Sequence, residues 1–185
     1  LQRRYVEAGS QAILAPTFGA NRASLGKYGL ADKVREYTLA LVRLSREASG
    51  GRALVGGDMS PCGLALPPVG TATFDELMEV FAEQAAALEE AGVDFFALET
   101  QISLAEARAA VLGVRSVSSR PVLVSFTCGP TGRTLYGGDL RGALLSLSEL
   151  GIDGFGLNCV GDLTLLRYTL MDLAAMTGLP LIAKP

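Results

Sequence analysis

EEAGVDFFALET (residues 89–100) and SELGIDGFGLNC (residues 148–159) share one layout. Each closes a helical stretch with Glu, one further residue and Gly, runs through apolar residues for the length of a strand, and stops on polar ones. VEAGSQAILAPTF (residues 6–18) repeats it a third time. Gly9, Gly92 and Gly151 suit the left-handed position after a helix, where a missing Cβ removes the steric cost. The runs end at Thr17, at Glu99 with Thr100, and at Asn158 with Cys159. Cys159 admits two readings from its position alone. It is a small packed thiol, as free cysteine often is, or it is a working group at a strand end.

The pattern extends outward. RALVGGDMSP (52–61), RPVLVSFTC (120–128) and LPLIAKP (179–185) read as further strands. Their near-continuous hydrophobicity is that of a parallel sheet covered on both faces. Helical periodicity lies between them, over 33–48, 75–91, 140–150 and 163–177, with Leu77, Val80, Phe81 and Leu88 on one stripe. Thr73 with Glu76, and Ser103 with Glu106, have the spacing of capping boxes. A helix, then five strand–helix units, then a strand give an α/β fold. Two architectures satisfy it, an open doubly wound sheet and a (β/α)8 barrel. No Gly-x-Gly-x-x-Gly follows a strand, which weakens the dinucleotide-binding option. Polar groups at nearly every strand end, namely Thr17, Asp58, Glu99, Ser125 or Thr127, Cys159 and Lys184, suit a barrel with a site at its C-terminal face. Six strands do not close an eight-stranded barrel, so a single domain over 1–185, truncated at both ends, is expected.

Composition removes several classes of function. The 185 residues are 49% hydrophobic and 19% charged, with a formal net charge of −3. No basic patch suits nucleic acid. No apolar run reaches the roughly 18 residues of a membrane span. Three well-separated cysteines (62, 128, 159) fit free thiols in a reducing cytoplasm. There is no histidine, which excludes Ser-His-Asp triads, histidine metal ligands and histidine bases from this segment.

AILAPTFGANR (12–22), GDMSPCG (57–63), ALET (97–100), SFTCGPTGRTLYG (125–137), GLNC (156–159) and AKP (183–185) stand in order at predicted strand ends. Together they resemble the homocysteine S-methyltransferase family, the homocysteine-binding zinc barrel of cobalamin-dependent and betaine-using methyltransferases. The resemblance implies a (β/α)8 TIM barrel with about strands 2 to 7 present. It implies methyl transfer to a zinc-activated thiol, homocysteine becoming methionine. Zn²⁺ deprotonates a thiol that would otherwise be mostly protonated at neutral pH. By that similarity Cys159 is one zinc ligand, and two further cysteines are expected beyond Pro185.

The resemblance also implies that Glu99 holds the substrate ammonium, with Asn158, Thr17, Ser125, Asn21 and Asp58 as substrate contacts or braces. Each has a plain structural alternative, a salt bridge for Glu99 and loop hydrogen bonds for the others. Cys62 and Cys128 leave a local three-cysteine site open as an alternative. The family's usual pattern is broken at Ala15-Pro16, Cys62 and Val160, which puts the exact thiol in question. Without histidine the segment has no corrinoid-binding Asp-x-His-x-x-Gly. Methylcobalamin, if it is the donor, sits on another domain or a corrinoid protein, and a folate-binding domain is a further expected neighbour. Two competing functions remain. One is a lyase or aldolase using Lys184 as an amine nucleophile. The other is a non-catalytic barrel that docks a corrinoid protein.

Overall fold

A computed structural model describes residues 1–185. Its elements are α1 (Gln2–Glu7), β1 (Ala12–Ala15), α2 (Arg22–Gly26), α3 (Val34–Ser49), β2 (Leu54–Met59), α4 (Phe74–Glu90), β3 (Phe95–Gln101), α5 (Leu104–Arg115), β4 (Val122–Phe126), α6 (Leu140–Ser148), β5 (Gly154–Asn158), α7 (Leu163–Ala174) and β6 (Leu181–Lys184). The expected alternation holds, with one addition between β1 and α3. There α2 and a 3₁₀ turn, Ala31–Lys33, interrupt the loop. Asn21 starts α2 by accepting a hydrogen bond from the Ser24 amide at 2.9 Å.

All six strands are parallel, and their order in the sheet is their order in the chain, β1 to β6. A doubly wound sheet reverses direction at a switch point. This one does not, so it is a six-stranded arc of a (β/α) barrel, open between β1 and β6. The core is Phe81, Leu77 and Leu88 of α4 against strand residues such as Phe96, Phe126 and Phe155, all fully buried. Each such side chain contributes roughly 1.5–3 kcal/mol over exposure. No helix is long and apolar enough to cross a membrane.

The repeat seen in the sequence does a second job. Gly92 and Gly151 have φ of 76° and 74°, and each is followed two residues later by an aspartate. Asp94 accepts from the Val55 amide at 2.6 Å and from Arg46 at 2.7 Å. Asp153 accepts from the Val122 amide and from Arg115, both at 2.8 Å. Arg46 and Arg115 also bond the carbonyls of Gly92 and Gly151. An arginine from a helix two units earlier thus pins each strand entry and leaves the opposite, C-terminal face free for chemistry.

The two capping boxes turn out differently. At α4 both halves form between Thr73 and Glu76. At α5 the Ser103 hydroxyl accepts from the Glu106 amide at 3.4 Å, but the Glu106 carboxylate turns away to the Cys62 amide, at 2.8 Å. A buried N–H on the neighbouring loop outcompetes the solvent-accessible one at the cap.

Candidate functional site at the C-terminal ends of the strands

β3, β4, β5 and β6 place Glu99, Ser125, Asn158 and Lys184 at one rim, with Cys159 following directly. Register fixes the neighbours, since Asn158 lies opposite Lys184 and the Cys159 amide donates to the Lys184 carbonyl at 3.0 Å.

Asn158 is the hub and is fully enclosed, at 1% exposure. Its Oδ1 accepts from the Thr100 amide and from the Ser125 hydroxyl, both at 2.8 Å. Its Nδ2 donates to Thr100 Oγ1 at 2.7 Å and to Cys159 Sγ at 3.3 Å. Every hydrogen-bonding position of this amide faces a partner, so its orientation is fixed. Thr100 and Cys159 are the two non-glycine residues with positive φ, 58° and 54°. Each such residue costs about 1 kcal/mol or more, and a β-branched threonine there is a true outlier. Asn158 holds both, and Thr127 Oγ1 adds a bond to the Cys159 carbonyl at 3.2 Å. The result turns the Cys159 side chain outward, and the residue is exposed.

Glu99, only 9% exposed, is bound through both oxygens by Lys184 Nζ, at 2.6 and 2.8 Å. The salt-bridge alternative for Glu99 is therefore occupied in this state. Asp58 is also 9% exposed, and its Oδ1 has no hydrogen-bond partner. Burial, with the Glu99 charge adding to it, pushes the Asp58 carboxyl up to about 7.

The other expected site residues are placed differently. Thr17 is fully buried, and its hydroxyl donates to the Asp58 carbonyl at 2.9 Å and accepts the Asp58 amide at 3.1 Å. It braces the end of β2 at the Asp58 backbone. Asn21 is fully buried at the start of α2. The local three-cysteine site does not form. No three His, Cys, Asp or Glu side chains in residues 1–185 gather to hold a metal ion. Cys62 is fully buried, and burial drives its thiol up to about 12. Burial raises the Cys128 thiol too. Both behave as packed thiols, leaving Cys159 as the one exposed cysteine. Sequence reasoning marked Thr100 and Thr127 only as polar groups at strand ends, with no role assigned, and gave Lys184 a different task. The positions of all three beside strand ends are the signal that marks them.

The homocysteine S-methyltransferase family model matches residues 1–185. Over 196 aligned residues the chain is 31% identical to methionine synthase of Mycobacterium tuberculosis and to that of Mycobacterium leprae, covering all of this chain and 16% of each relative. The chain thus spans less than a fifth of the length of those proteins. Among solved structures, the metallated homocysteine methyltransferase MmuM of Escherichia coli superposes with a TM-score of 0.87, covering 98% of this chain and 68% of that one. Identity there is 23%, so that likeness speaks for the fold alone. On the end-to-end match of the family model, the chain belongs to the homocysteine S-methyltransferase family.

Proposed function

We propose that this barrel belongs to a cytoplasmic enzyme that moves a methyl group onto the thiol of homocysteine, giving methionine. The observation that carries the proposal is Cys159, a strained, outward-turned thiol at a strand end with an amide N–H of Asn158 on its sulfur. A packed structural cysteine needs neither the strain nor the donor. A thiolate ligand suits Zn²⁺, and a neighbouring N–H steadies such a ligand, so Cys159 fits one arm of a zinc site. The remaining ligands are proposed to be two cysteines that follow Pro185. Bound zinc would supply deprotonation of the substrate thiol while leaving it nucleophilic.

This chain's own residues do the positioning. Glu99, itself only 9% exposed, receives the substrate ammonium in a charge-assisted contact. Asn158, tied to Ser125 and Thr100, fixes where the Cys159 sulfur stands. The methyl donor is carried elsewhere in the protein or on a partner, methylcobalamin on a corrinoid domain or protein being the first candidate and a folate-binding domain its neighbour. Likeness to the two mycobacterial methionine synthases supports this assignment. The test is thioether formation by the full-length protein with homocysteine and a methyl donor. Glu99→Gln should raise the homocysteine KM about 10-fold or more. No methylated homocysteine from the wild type, or an unchanged KM in the variant, would sink the reading.

A further inference from the structure

The hydrogen bond to the Cys159 sulfur comes from the neighbouring residue, Asn158 Nδ2, at 3.3 Å. It depends on which way the Asn158 amide faces. Reversed, the amide would turn its carbonyl oxygen onto the sulfur, one acceptor against another. Thr100 decides between the two orientations. Its backbone N–H, 2.8 Å from Oδ1, donates and cannot accept. The Ser125 hydroxyl donates to the same oxygen at 2.8 Å. Nδ2 is therefore left to Thr100 Oγ1 and to Cys159 Sγ. Thr100 presents its N–H at a φ of 58°, a conformation that a β-branched residue rarely holds. Cys159 is also the exposed cysteine, open to whatever delivers a methyl group, whereas Cys62 is buried and Cys128 partly so.

We propose that Asn158 is a selectivity residue: its N–H, oriented by Thr100 and Ser125, withholds Cys159 from methylation, so that the methyl group goes to the substrate thiol. This rests on the function proposed above and adds how two sulfurs at one centre are told apart. Both are thiolates there, and a thiolate is the nucleophile. Methylation of Cys159 would form an S–CH3 bond with a sulfur lone pair and break the bond from the methyl carbon to its leaving group, which departs with the bonding electrons. The thioether left behind has no charge with which to hold a cation, so one such event would end the use of the site. An N–H on the sulfur engages a lone pair in a charge-assisted hydrogen bond, which must loosen before that sulfur attacks. The substrate sulfur receives no such bond from Asn158, because both hydrogens of the amide are already committed to Thr100 and Cys159.

The experiment treats zinc-loaded full-length protein with methyl iodide and follows, by mass spectrometry of the digested chain, the rate at which the Cys159 peptide gains a methyl group. Zinc per chain is measured on the same samples, and rates are compared at equal zinc. Asn158→Asp keeps acceptors for the Thr100 amide and the Ser125 hydroxyl and removes the N–H from the sulfur. Asn158→Leu removes it without adding a charge. Both variants should methylate Cys159 about 10- to 100-fold faster than wild type, with buried Cys62 as the unchanged internal control. Unchanged rates in the two variants, or a rise in Asn158→Asp alone, which its added charge explains, would overturn the proposal. If the variants do not fold or do not hold zinc, the wild type decides. With homocysteine bound, methyl iodide should methylate homocysteine about 10-fold or more faster than Cys159, and equal labelling of the two sulfurs overturns the selectivity. Zinc-loaded variants that match wild type remove the role of Asn158 alone. A wild type that binds no zinc removes the proposed function and this role together.

Discussion

Asp58 carries the sharpest electrostatic signature of any single residue here. Its carboxyl is raised from an ordinary 3.8 to about 7, first by burial and then by Glu99. Between those two values the native state binds a proton that the unfolded chain has lost. Stability therefore falls as pH rises through that window and stays reduced above pH 7. The gap corresponds to on the order of 4 kcal/mol. Asp58→Asn should remove the penalty, so that the variant gains stability over wild type as pH goes from 4.5 to 8, as measured by urea unfolding at both. A stability difference that does not change with pH would mean that Asp58 is not held in this way. The cost is what a binding site retains when an acceptor stands ready without a donor. At this scale the sequence was partly legible. Glu99, Asn158 and Cys159 were visible as polar groups ending apolar runs. The Lys184 partner of Glu99 was not, because the two lie 85 residues apart and only strand order brings them together.

At the scale of elements, β5 and β6 meet without room for a side chain at one point. A Cβ on Gly156 would collide with the Ile182 carbonyl and lie 2.6 Å from its nitrogen. Backbone cannot yield as a flexible side chain does, so Gly156→Ala should push β6 away from β5 and cost several kcal/mol by overpacking. Lys184 and the Cys159–Lys184 backbone bond would move with it. Thermal unfolding of the full-length variant checks this, and a Tm within a degree or two of wild type would contradict the close packing. The strands and helices themselves were readable from apolar runs, capping residues and the Glu-x-Gly repeat. The use made of that repeat was hidden, since Arg46 and Arg115 reach Asp94 and Asp153 from helices 48 and 38 residues earlier. The Glu106 carboxylate escaped for a similar reason. Its spacing fits a local cap, yet the buried Cys62 amide of another loop claims it.

For the whole molecule, sequential parallel strands put every strand's C-terminal end on one face, and that is why polar strand ends predicted a shared site. A barrel built this way separates its tasks. The arginine–aspartate pins sit at strand entries, and the Asn158 network, Glu99, Asp58, Lys184 and Cys159 sit at strand exits. Zinc content of the full-length protein, native and Cys159→Ala, tests the role of that exit face most directly. About one zinc per chain in the native protein, lost or greatly weakened in the variant while the fold persists by circular dichroism, is the predicted result. A native protein without zinc, or a variant that keeps its full complement, would return Cys159 to the status of an ordinary exposed thiol and contradict thiol activation at this site.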